Sequence, residues 1–130
     1  MVIPKKSFLL VLLASLAASG ALFWYIPYDQ AALLEFSFYW RWLVAVAVIA
    51  AVAAHRTSLS FSDCVVAAGM GPAAADLVRI VVEAAADPTK HNLWPFELVV
   101  SACIGGIGAL VGAGTVFTIK KFSKRTEPDT

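Results

Sequence analysis

Four apolar stretches, separated by short polar segments, make up this chain. Phe8 to Ile26 carries no charged residue. At about 1.5 Å per residue, such a run crosses the roughly 30 Å hydrocarbon core of a bilayer. Lys5 and Lys6 precede it, and Trp24, Tyr25 and Tyr28 close it as an interfacial aromatic belt. A secretory signal peptide shares this outline, with Ala18, Ser19, Gly20 and Ala21 as small residues at a cleavage site. The apolar run continues past that point, so an uncleaved anchor is expected.

The second span is expected over residues 37–54. It opens on Phe36, Phe38, Tyr39, Trp40 and Trp42 and runs on as Val, Ala and Ile to Ala54. Arg41 lies among those aromatics, where a guanidinium reaches the headgroups and covers a ring face. His55 and Arg56 end the span, and Thr57 to Asp63 form a polar connection. The third span is expected over residues 64–86 and the fourth over 93–119. Asn92 is expected to cap the fourth, and Pro95 is tolerated in its first turn, where its missing N–H has no partner anyway. A polar basic tail occupies residues 120–130.

Composition agrees with the pattern. The chain has 130 residues, room for one domain over 1–130, and 60% of them are hydrophobic, against roughly 45–50% in a soluble domain. Charged residues make up 15%, too few to cover a soluble fold of this size. The net charge of +1 lacks the concentrated basic face of a nucleic-acid binder. With the N-terminus inside, Lys5, Lys6, Arg56, Lys120, Lys121, Lys124 and Arg125 fall on the cytoplasmic side, and Arg41 and Lys90 outside. That is the bias of multi-pass proteins, and a third segment that failed to span would put the basic tail outside. The expected fold is therefore an all-α integral membrane protein of the cell membrane. Its four transmembrane helices form two helical hairpins in a bundle, with both termini cytoplasmic.

The third span carries unusual residues. Asp76 lies about 3 Å from its midpoint and Arg79 about 7.5 Å from that midpoint on the outer side, with Glu83 at the interface. Asp76, Arg79 and Glu83 fall on one helical stripe at spacings that allow contact. A charge near mid-bilayer costs about 2.5–3.5 kcal/mol on insertion scales, so the stripe must face protein or water. One expectation is that Arg79 neutralises both acids and joins this helix to its neighbours. The other is that Asp76 binds or relays a cation or proton. Gly69, Gly71 and Pro72 are expected to break or kink the helix, because Pro72 deprives the Ala68 carbonyl of its helical donor.

The fourth span shows a packing stripe. Ser101, Gly105, Gly108, Gly112 and Thr115 recur at spacings of four and three, the pattern that lets two backbones approach in a membrane. The outer loop between the third and fourth spans offers Asp87, His91 and Glu97 as polar candidates, with a turn expected at Asp87-Pro88. Cys64 and Cys103 lie at different depths and are not expected to pair.

Other chemistries find no footing. His55 and His91 lie on opposite faces, zinc spacing is missing, and the glycines of the fourth span lie in apolar sequence rather than a phosphate loop. No enzyme, metal or cofactor is expected. The leading expectation is a small structural or accessory membrane protein acting through helix–helix association, as a homo-oligomer or within a larger complex. The lipid bilayer and other membrane subunits would be its partners. The alternative is a small ion- or proton-conducting transporter or channel centred on Asp76.

Overall fold

The computed structural model describes residues 5–24, 36–90 and 93–126, and all the regular structure in them is helical. The elements are α1 (Lys6–Trp24), α2 (Phe36–Arg56), α3 (Phe61–Ala86) and α4 (Trp94–Thr126). By length and composition, α1, α3 and α4 are apolar enough to cross a membrane. Tyr25, Tyr28, His91 and Asn92 lie outside the described residues, and so does the expected Asn92 cap.

Two element boundaries differ from those expected by three residues or more. α3 begins at Phe61 rather than Cys64, because the Ser60 hydroxyl accepts from the Asp63 N–H at 3.2 Å and caps the first turn. Asp63 itself sits in that turn, where a negative charge suits the helix dipole. α4 does not stop at Ile119 but continues to Thr126, so most of the expected tail is helical. At about 1.5 Å per residue its 33 residues span about 50 Å, well beyond a hydrocarbon core. Lys120 near its end donates to the Ala54 carbonyl at 2.6 Å, satisfying an orphan acceptor of the last turn of α2.

Two simple hairpins do not describe the packing. α1 lies mainly along α3, and α2 mainly along α4, while α3 and α4 form the one extensive hairpin contact. Among the described residues the backbones of α1 and α4 do not approach closely. The reason lies in the small residues. A Cβ added to Gly108 would lie 2.7 Å from the Leu43 carbonyl oxygen, and one on Gly112 would run into the Ala47 carbonyl. Both contacts are with α2. One turn earlier, Gly105 of α4 abuts the Gly69 carbonyl and the Pro72 ring of α3. On the far side of α3, the missing side chain of Gly71 makes room for Ser15 of α1. Glycine and serine thus set how closely each pair approaches, and Val46, Ala50, Cys64, Ala67, Ala68, Ala109 and Ala113 fill the core between them.

Of the break or kink expected at Gly69, Gly71 and Pro72, the break does not occur, and α3 is one continuous helix through all three. The Ala68 carbonyl that Pro72 leaves without a helical donor accepts the Ser15 hydroxyl at 2.5 Å. With that acceptor satisfied from α1, the helix has no need to open.

Candidate functional site

The charged stripe of α3 faces the interior. Asp76 and Arg79 are each 2% exposed, so neither meets lipid. Burial of this kind demands partners, and neighbouring helices supply them. Arg79 Nε donates to Glu83 Oε1 at 2.8 Å, one turn along α3. Its Nη1 donates to the Phe23 carbonyl of α1, also at 2.8 Å. The guanidinium lies 4.2 Å from the Phe23 ring centroid, within cation–π range. The Phe23 carbonyl is a natural acceptor, because it belongs to the last turn of α1, where helical donors run out. Glu83 keeps 25% of its side chain exposed, in accord with its place near the end of the helix.

Asp76 turns toward α4. Its Oδ2 lies 2.7 Å from the Ser101 hydroxyl, which also lies 2.8 Å from the Glu97 carbonyl oxygen. Ser101, expected as a small packing residue, is therefore the polar link between α3 and α4. Glu97, grouped with the outer-loop candidates, stands in the first turn of α4, inside the expected span, and is buried. A carboxylate in that turn is favoured by the N-terminal dipole, which explains why an acid is tolerated there. Asp76 and Glu97 both lie within electrostatic reach of Tyr39 on α2. The end of the bundle formed by the last turns of α1 and α3 and the first turns of α2 and α4 is thus a shared polar neighbourhood. Asp76 anchors it nearest the centre of α3.

Trp42 completes that neighbourhood. It stands in the aromatic cluster expected at the interface, yet it is only 1% exposed. Its Nε1 donates to the Ser19 carbonyl at 3.1 Å, and its ring meets Phe23 edge-on at a centroid distance of 4.9 Å. A run Trp42–Phe23–Arg79 therefore ties α2, α1 and α3 together beside Asp76. Arg41, one residue away, points outward with Trp40, its guanidinium 6.0 Å from that ring. Sequence reading missed Trp42, Phe23 and Ser15 as interior contacts. Their one legible signal is that Val11, Ser15, Ser19 and Phe23 recur every four residues on α1, and all four are buried.

The remaining candidates separate. Thr115 does not belong to the packing stripe. It is exposed, and its hydroxyl bonds the Val111 carbonyl of its own helix at 2.7 Å. The buried face has moved to Ala109 and Ala113, because spacings of three and four do not stay in phase with 3.6 residues per turn. Asp87 ends α3 with its N–H on the Glu83 carbonyl, and its carboxylate accepts both the N–H and the hydroxyl of Thr89. Those two bonds, with Lys90 nearby, hold its carboxyl below the usual carboxylate range. It is only partly buried, and His91 lies outside the described residues. Cys64 is buried, Cys103 faces outward, and both are free.

Among the described residues no three His, Cys, Asp or Glu side chains form a metal-binding group. The Ser19 hydroxyl, fully buried on α1, has no hydrogen-bond partner among them either. The arrangement joins three helices through polar side chains. Compared with family models, curated proteins and solved structures, the chain matches none.

Proposed function

We propose that the chain is a small multi-pass protein of the cell membrane. In this reading α2 crosses the bilayer with α1, α3 and α4, and both termini lie on the cytoplasmic side. It works as a structural or accessory subunit through helix–helix association. One observation carries the association. Gly106 and Gly114 of α4 face open space, and a Cβ at either would meet nothing in this chain. A glycine inside a helix costs about 1 kcal/mol relative to alanine. Gly105, Gly108 and Gly112 offset that cost through contacts within the chain, and Gly106 and Gly114 would offset it against a helix from another chain. The surrounding surface is apolar, with Val99, Ile107, Leu110 and Val111 exposed.

Chemical crosslinking in native membranes, followed by mass spectrometry, tests this reading. Gly106→Leu and Gly114→Leu should abolish the crosslinked species while leaving the stability of the isolated chain unchanged. Gly108→Leu and Gly112→Leu should instead destabilise the chain itself, by on the order of 1–3 kcal/mol. A chain that stays monomeric and alone in its membrane refutes the association.

A second reading rests on Ser101. Its one hydroxyl hydrogen serves two oxygen neighbours, Asp76 Oδ2 and the Glu97 carbonyl. A proton carried by Asp76 would supply the second hydrogen bond, making the acid a proton-holding group inside the bundle. Proton flux into liposomes containing the pure protein, compared between wild type and Asp76→Asn, tests it. Equal flux in the two sinks this reading.

A further inference from the structure

α1 leans on α3 and only lightly on α2, and that loose contact leaves a groove of about 280 Å³ at one end of the bundle. Leu10, Val11 and Ala14 of α1 form one wall, and Val48, Val52 and Arg56 are among the residues of the other. We propose that this groove holds one acyl chain of an anionic phospholipid, whose phosphate rests on Arg56. The proposal depends on the membrane placement given above.

Three observations select that occupant. Val48 to Arg56 is two turns and a fraction, about 12 Å along the axis, close to the roughly 15 Å depth of one leaflet's hydrocarbon. A helix from a second copy would need an apolar groove along the whole bundle, whereas this one lies at a single end. The lining is apolar up to its mouth, where Arg56 supplies a planar fork of donors suited to phosphate oxygens. The charge at that end is complementary. Lys5 and Lys6 lie exposed at the start of α1, and Lys120, Lys121, Lys124 and Arg125 at the end of α4. The described acid there, Asp63, serves the first turn of α3. A basic rim over an apolar slot fits an anionic headgroup and its chain, and a zwitterionic headgroup gains less from it.

The test is thermal unfolding of the purified full chain in a mild detergent. Phosphatidylglycerol, phosphatidylcholine of the same acyl chains, or water-soluble glycerol phosphate is added. Phosphatidylglycerol should raise Tm above phosphatidylcholine by on the order of 5 °C, and glycerol phosphate should not raise it. Arg56→Gln should erase that excess, and so should Ala14→Phe, which fills the groove from an exposed position. Arg41→Gln, at the opposite end, should keep it. Equal shifts from both lipids, an excess surviving Arg56→Gln or Ala14→Phe, or the same shift from glycerol phosphate would overturn the proposal. Release of the chain from membranes by alkaline carbonate would instead overturn the membrane placement itself.

Discussion

Ser15 takes the place of a backbone donor that Pro72 lacks, and the energetic consequence can be worked out from the structure. In an uninterrupted helix the N–H at position 72 would bond the Ala68 carbonyl. Proline has none, and the Ser15 hydroxyl of α1 donates there instead, at 2.5 Å. Ser15 and Ala68 are both fully buried, so no water can replace the bond. Ser15→Ala therefore strands an acceptor in a dry interior, at a cost of about 1–3 kcal/mol. The lower part of that range agrees with the roughly 0.6–1.7 kcal/mol found for interhelical hydrogen bonds in membranes. Pro72→Ala restores an N–H to the Ala68 carbonyl. In that background Ser15→Ala should cost less than about 0.5 kcal/mol, so the double-mutant cycle should show a coupling of about 1–2 kcal/mol. Reversible unfolding of the four variants in mild detergent, driven by sodium dodecyl sulfate and followed by far-ultraviolet circular dichroism, measures it. If the cost of Ser15→Ala is the same in both backgrounds, the serine is not substituting for the missing donor and the reasoning fails.

Three further outcomes are expected. Arg79→Leu should destabilise the bundle by about 3 kcal/mol, the low end for breaking a buried pair because Glu83 is partly exposed. Arg79→Lys should rescue little of that, since one ammonium cannot reach Glu83, the Phe23 carbonyl and the ring together. A fully stable lysine variant in the same unfolding assay would count against this fork. The bonds from Thr89 lower the Asp87 carboxyl below 3.8, so its contribution to loop stability is present above that value and is lost as pH falls through the lower folded value. Thr89→Val should move the Asp87 titration back up toward the ordinary range in a carboxyl NMR experiment, and an unmoved titration would remove Thr89 as the cause. A cysteine added after Thr130 should react with a membrane-impermeant reagent only from the cytoplasmic face, whereas labelling of intact cells from outside would reverse the proposed orientation.

Much of the architecture can be read from local pattern alone. Helices with long uncharged stretches follow from composition and length, because nothing in a charge-free run of that length favours a solvated loop. For helices that read as membrane spans, an inward direction of Asp76 and Arg79 is expected from the cost of exposing charge to lipid, whatever the neighbours are. Gly105, Gly108 and Gly112 announce a close approach because their spacing places three missing side chains on one face. Even the early start of α3 was present in Ser60 and Asp63, a capping pair three residues apart hidden in a segment that reads as a polar connection.

Tertiary structure decided what those faces meet. One stripe on α4 serves two different helices, Gly105 against α3 and Gly108 and Gly112 against α2, and no spacing within a single helix encodes that division. Gly69, Gly71 and Pro72 read as a break because helix propensity is a property of the segment. The carbonyl they expose is satisfied by a serine 53 positions earlier, so the helix stays whole. Trp42 reads as an interface anchor and Glu97 as an opening-turn acid beside the outer loop for the same reason. Both are amphipathic or charged residues near a helix end, and only the placement of Phe23, Ser19 and Ser101 around them turns them inward. Local sequence sets what each helix must hide, whereas the partner that hides it depends on contacts distant along the chain.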